Sequence, residues 1–134
     1  MSQENVELVC STFDALTRHA YSDAARGFHH DAVWHNTEEF PGPKSCVGAR
    51  AIVDFWAALR EGFNSNSASS EIERVVDDGD VVVAGLHSVG RGTGSGVPID
   101  IRWAAVFRLD DGRISQVDVH GNWPKALRAA GLAE

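Results

Sequence analysis

The sequence predicts an α+β fold, helices first and a curved antiparallel sheet after, built around one apolar pocket. Three observations predict it. Apolar residues recur every three to four positions through the first half of the chain. From Glu71 to His120 they alternate with period two. The alternating runs are separated by Asp77-Asp78-Gly79-Asp80 and by Asp110-Asp111-Gly112, which supply the left-handed positions that tight hairpin turns need.

Val6, Val9, Cys10, Phe13 and Leu16 fall on one helical face, which predicts an amphipathic helix over about residues 3–19 with Ser2 as N-cap. A short second helix fits residues 22–29, with Ser22 as N-cap and Ala25 and Phe28 turned inward. Residues 32–36 form a short strand, and Pro41, Gly42 and Pro43 mark a loop. Ile52, Val53, Phe55, Trp56, Leu59 and Phe63 give a third helix, residues 49–62, its apolar face, and a polar loop follows over 64–70. Strands are predicted over 71–76, 81–89, 97–109 and 113–120, with a glycine-rich hairpin loop over 90–96. Pro124 opens a final short helix, Leu127 anchors it and Gly131 ends it. A long, twisted meander of this kind curls around the helices and leaves a cavity between the two layers.

The 134 residues suit one domain over 1–134, large enough to bury roughly two-thirds of its unfolded surface without a disulfide or metal staple. The net charge of −7 and the scattered arginines argue against nucleic acid as a partner, because that affinity rests on clustered cations. No stretch is long and apolar enough for a bilayer span, and the start MSQENVELVC has neither the basic nor the apolar region of a signal peptide. The expectation is a cytoplasmic protein with no membrane partner, whose two cysteines, Cys10 and Cys46, stay free thiols.

Phe28-His29-His30-Asp31-Ala32-Val33-Trp34, the Phe40-Pro41 loop, Gly48, the Phe55-Trp56 helix, Gly90-Arg91-Gly92 and Ser95-Gly96-Val97 carry a family likeness. Val106 to Ile114 and Ala126-Leu127 before Gly131-Leu132 extend it. In this order the chain resembles the SnoaL-like branch of the nuclear-transport-factor-2-like superfamily, nearly end to end. The resemblance implies a cone-shaped barrel, a homodimer, and a small-molecule ligand in a pocket at the wide end. Function does not follow, because that superfamily holds isomerases, dehydratases, hydrolases, cyclases and non-catalytic binding or interaction modules. The ketosteroid isomerase site falls on Asn36, Thr12 and Ala104 or Ala105, none of which carries the required acid, base or phenol. The limonene epoxide hydrolase site keeps only an Asn, at Asn36; its charged positions fall near Gly85, His87 and Val119.

The candidate site residues follow from chemistry and face. His87 lies mid-strand among apolar neighbours, where an imidazole suits acid–base work if that face lines the pocket. Asn36 offers a donor and an acceptor to a substrate or water, and Trp34 shares its strand face. Phe13, Phe55, Trp56 and Trp103 are expected to shape the pocket with Trp34. Asp118 and His120 form an alternative acid–base pair, although the apolar row Ile99, Ile101, Trp103 suggests that Asp100, Arg102 and Asp118 face outward. His29, His30 and His35 match no metal-ligand spacing, so neither metal nor cofactor is expected. The leading expectation is a cofactor-independent enzyme doing isomerisation, cyclisation, hydration or dehydration on a small apolar molecule. The alternative is a ligand-binding protein or a dimeric interaction module.

Overall fold

The computed structural model describes residues 2–37, 43–61 and 69–132. The element order is α1 (Ser2–Thr17), α2 (Tyr21–Gly27), β1 (Phe28–His35), β2 (Ser45–Val47), α3 (Ala49–Glu61), β3 (Ser69–Asp78), β4 (Val81–Arg91), β5 (Pro98–Asp110), β6 (Arg113–His120) and α4 (Trp123–Ala129). The strands form one curved, unclosed sheet in the order β2-β1-β6-β5-β4-β3. This is the predicted cone-shaped α+β architecture.

The helical spacing of α1 puts Val9, Phe13 and Leu16 in the core. The helix stops where His19 takes a left-handed φ of 64°, and the Ala20 amide then reaches back to the Ala15 carbonyl. Next, α2 turns sharply against α1. Its last residue, Gly27, lies so close to Thr12 that an added Cβ would sit 1.9 Å from the Thr12 hydroxyl. The face of α3 carrying Ile52, Val53 and Trp56 is buried against the sheet.

Three details differ from the sequence-based reading. His29 and His30 stand in β1, not at the end of a helix, and the cap of α2 is Ala20, without a side-chain hydrogen bond, not Ser22. A strand the sequence reading did not include, β2, follows the proline loop and pairs with β1. The sheet is not wholly antiparallel: β1 runs parallel to β6, with Trp34 opposite Val117. The predicted loop residues Pro41 and Gly42, the Gly62–Phe63 end of the third helix and polar-loop residues 64–68 lie outside the described residues.

The meander itself follows the predicted turns. Gly79 and the pair Asp111-Gly112 adopt positive φ between their strands. Register shifts between Ile72 and Arg74, and between Arg108 and Leu109, insert extra residues, and such irregularities bend and twist a sheet locally. The concave inner face of the sheet carries Val82, Ala84, Leu86, Trp103, Ala105 and Phe107 into the main core with α1–α3. The outer face has a second small core, where Val83, Ala104 and Val106 meet Ala126 of α4. Asn122 caps α4 by accepting from the Lys125 amide at 3.0 Å. No described helix is long and apolar enough to cross a membrane.

Candidate functional site

A cavity of about 300 Å³ opens between α1, α3 and the inner face of the sheet. Its walls are mainly aromatic and aliphatic: Trp34 from β1, Phe55, Trp56 and Leu59 from α3, and Ile99, Ile101 and Trp103 from β5. Strand alternation explains the β5 row, because Ile99, Ile101 and Trp103 are two residues apart and share one face. Helical spacing explains Phe55, Trp56 and Leu59 in the same way. The rings interlock edge to face. Trp34 and Trp56 lie 5.6 Å apart at 83°, and Phe55 and Trp56 lie 6.4 Å apart at 76°.

Phe13 belongs one layer deeper. It is 2% exposed and packs edge-on against Trp56 at 5.5 Å and Trp103 at 6.2 Å, so it supports the cavity wall from behind. Asn36 lines the cavity beside Trp34, but its amide is already engaged. Its Oδ1 accepts from Trp34 Nε1 at 2.8 Å, and its Nδ2 donates to the Pro43 carbonyl at 2.9 Å. These bonds fix the Trp34 rotamer and tie the end of β1 to the strand that follows.

The remaining polar lining consists of hydroxyls and two guanidinium groups, those of Arg60 and Arg102. Ser70 of β3 and Ser88 of β4 pair across the sheet with 2.7 Å between hydroxyl oxygens. Trp103 Nε1 donates to Ser88 Oγ at 3.0 Å. Arg60, near the end of α3, lines the cavity and donates to the Thr17 carbonyl at 3.3 Å. Sequence reasoning missed both serines, because a serine in a strand carries no signal of its own; only the register that sets Ser70 against Ser88 singles them out.

His87 is not part of this cavity, which corrects the expectation placed on it. Leu86 and Ser88 face inward, so His87 between them faces outward. There its Nε2 lies 2.6 Å from Asp100 Oδ1 and its Nδ1 lies 3.8 Å from Glu73 Oε2. Arg102 completes the network by donating to Glu73 at 2.9 and 3.4 Å. The Arg102 guanidinium holds the Glu73 carboxyl below the ordinary carboxylate range. Glu71, Glu73 and His87 are close enough to touch one ion, as are His29, His30 and Asp31. In the first group Glu73 already has Arg102 as counter-charge, which makes the cluster an ion-pair network on the sheet surface.

Asp118 and His120 also face outward, opposite Val106 and Ala104. Gln116 donates to Asp118 at 2.8 Å, and Arg108 lies 3.9 Å from it. Burial holds the His120 imidazole below its ordinary pKa, with Asp118 opposing that shift and Lys125 adding to it. Its Nε2 is buried without a hydrogen-bond partner. The thiols of Cys10 and Cys46 are free, and burial raises both.

The structure thus brings Trp34, Asn36, Phe55, Trp56 and Trp103 together around one cavity and sets His87, Asp118 and His120 on the opposite face of the sheet. Among the described lining residues there is no carboxylate, imidazole, thiol or phenol.

Solved structures share this fold. A SnoaL-like polyketide cyclase candidate from Jannaschia sp. CCS1 aligns with a TM-score of 0.76 at 22% identity, over 98% of this chain and 91% of that one. A nuclear-transport-factor-2-like protein from Burkholderia xenovorans LB400 aligns with a TM-score of 0.75 at 18% identity, over 96% and 95%. TerC, co-crystallised with polyporic acid, aligns with a TM-score of 0.75 at 14% identity, over 96% and 97%. At these identities the likeness is one of fold. No curated protein matches the sequence. The SnoaL-like domain family does match, over residues 9–117, which takes in every described wall residue but Gly121; the chain belongs to the SnoaL-like domain family.

Proposed function

We propose that this chain is a small-molecule pocket protein whose ligand is a small, mostly apolar organic molecule bearing at least one ring. The observation that carries this reading is the cavity of about 300 Å³ with Trp34, Phe55, Trp56 and Trp103 in its walls. Cavities of that size suit compact organic ligands, and aromatic walls favour flat, apolar ones over sugars or nucleotides. The co-crystallisation of TerC with polyporic acid and the polyketide-cyclase designation of the Jannaschia neighbour support the same class.

Binding without acid–base catalysis is the reading best supported by the described lining, which offers hydroxyls, an amide and two guanidinium groups but no group that titrates near neutrality. The catalytic reading retains one supporting observation: His87 is oriented by Asp100 at 2.6 Å, as a proton carrier is. That dyad is separated from the cavity by the thickness of the sheet. A homodimer, as the family resemblance implies, belongs to the proposal.

The test is a thermal-shift screen with bicyclic and tricyclic aromatic compounds. Ligands of this class raise the melting temperature of the wild-type protein. Trp103→Ala lowers their affinity roughly tenfold or more, the loss expected for a buried aromatic contact. A screen in which sugars or nucleotides stabilise the protein and no aromatic compound does rejects the proposal. If a stabilising compound is also turned over, His87→Ala decides between the readings: unchanged turnover removes His87 from the chemistry.

A further inference from the structure

The hydrogen-bonded chain of Trp103, Ser88 and Ser70 in the cavity wall holds one more donor hydrogen than it uses. An indole N–H can only donate, so in the contact between Trp103 Nε1 and Ser88 Oγ the serine is the acceptor. Ser88 and Ser70 then share a single hydrogen bond at 2.7 Å, and either can supply its hydrogen. Three donor hydrogens therefore meet at this point, those of Trp103, Ser88 and Ser70. The two hydrogen bonds use two of them. One hydroxyl hydrogen remains in either arrangement, and among the described residues neither serine side chain has a further partner.

The placement of that hydrogen follows from the register. Ser70 is opposite Ser88, and Ser88 is opposite Ile101, so the pair lies on the inner face in line with the apolar row of β5. Both serines line the cavity. Because the indole starts the chain, each donor polarises the next, and the last O–H is a better donor than an isolated serine. Around it stand Ile99, Ile101 and Trp103, which offer no acceptor side-chain atom.

We infer that Ser70 and Ser88, backed by Trp103, form a subsite for an acceptor oxygen of the ligand, and that the ligand is an aromatic ketone or related conjugated carbonyl compound. This rests on the ligand-binding reading above and adds the polar group that reading leaves open. The ring system lies against the tryptophans while the carbonyl oxygen accepts from whichever serine carries the spare hydrogen. A water at that position is displaced without loss, because the carbonyl replaces its acceptor role.

The experiment compares 1-tetralone with tetralin, which share a bicyclic skeleton and differ in the carbonyl, by NMR titration of the wild-type protein and of Ser70→Ala/Ser88→Ala. The quantity read is the ratio of the two dissociation constants. The ratio moves against the ketone by roughly fivefold in the double variant, the worth of one neutral hydrogen bond, while tetralin affinity stays the same. Ser70→Ala/Ser88→Thr retains one hydroxyl in the pair and keeps the wild-type ratio. A ratio unchanged in the double alanine variant, with tetralin still bound, overturns the subsite and leaves the pocket reading standing. If neither compound binds the wild-type protein, the pocket reading for this ligand class fails and the subsite falls with it.

Discussion

His120 shows how a single side chain can be set against its environment. It sits under α4 with Nε2 buried and unpartnered, and burial lowers its pKa below the ordinary 6.5. The unfolded chain then binds this proton more readily than the folded one. The stability attached to the neutral ring is complete above the unfolded pKa of about 6.5 and is lost as pH falls from there toward the lower folded value. Melting temperature should therefore decline as pH falls below about 6.5, and His120→Gln should flatten that decline. An equal decline in both proteins would place the titration elsewhere. Residue-scale reading of the sequence found His120 but not its setting. The same is true of His87. Strand alternation assigns a residue to one of two faces and does not say which face is concave. The usual cue, polar outside and apolar inside, fails in the middle of β4 because α4 covers the outer face there, so Val83 and Gly85 are as buried as Val82 and Ala84.

Among the elements, α4 is the one whose docking depends most on a few contacts. The Trp123 ring lies over the sheet, with the Arg74 guanidinium 4.2 Å from its centroid. Gly85 makes room for both: a Cβ there would lie 3.1 Å from Arg74 Cγ and 3.1 Å from Trp123 Cε3. Trp123→Ala should cost roughly 1–2 kcal/mol, concentrated in α4. Hydrogen exchange gives the check: the α4 amides lose protection while those of β4 and β5 keep theirs, and uniform loss would mean that α4 does not open separately. The long, strongly periodic elements, α1, α3 and the four meander strands, were readable in advance because each repeats its pattern over several turns or pleats. By contrast, β2 has three residues, of which only Cys46 is buried, and no period can be read from so short a run. The chain from 28 to 31 was equally opaque, since Phe28 and Ala32 keep helical spacing while standing in a strand.

At the scale of the whole molecule, the aromatic cluster is where the helical layer and the sheet are joined. Phe13 of α1 touches Trp56 of α3 and Trp103 of β5, and Trp56 in turn meets Trp34 of β1. The cavity wall and the core are thus the same set of rings. Phe13→Ala should destabilise the fold by about 3–5 kcal/mol, as large-to-small changes at buried aromatics do. It should also weaken aromatic ligands that Phe13 never touches, by loosening Trp56 and Trp103. Denaturant unfolding and ligand titration on one sample measure both effects; intact affinity in a destabilised protein would separate the wall from the core. The sequence offers Trp34, Phe55, Trp56 and Trp103 as pocket candidates, because bulky apolar side chains at regular spacing must be buried somewhere in a chain of this length. It did not foretell the serine pair or the engaged state of Asn36, which arise only when distant strands come into register.

The parallel pairing of β1 with β6 carries a consequence for the order of assembly. β1 comes early in the chain and its inner partner, β6, is the last of the described strands. During translation, β1 has only β2 beside it, and its other edge stays open until the meander is complete. The cavity needs Trp34 from β1 and Trp103 from β5 in place together, so it exists only once β1 and the meander are joined. Contacts between such distant segments slow folding, because much of the loop-closure entropy is lost before they form. A ligand that binds the finished cavity therefore touches both sides of the seam between the early strand β1 and the late meander, and its affinity adds to the pairing that holds the two together.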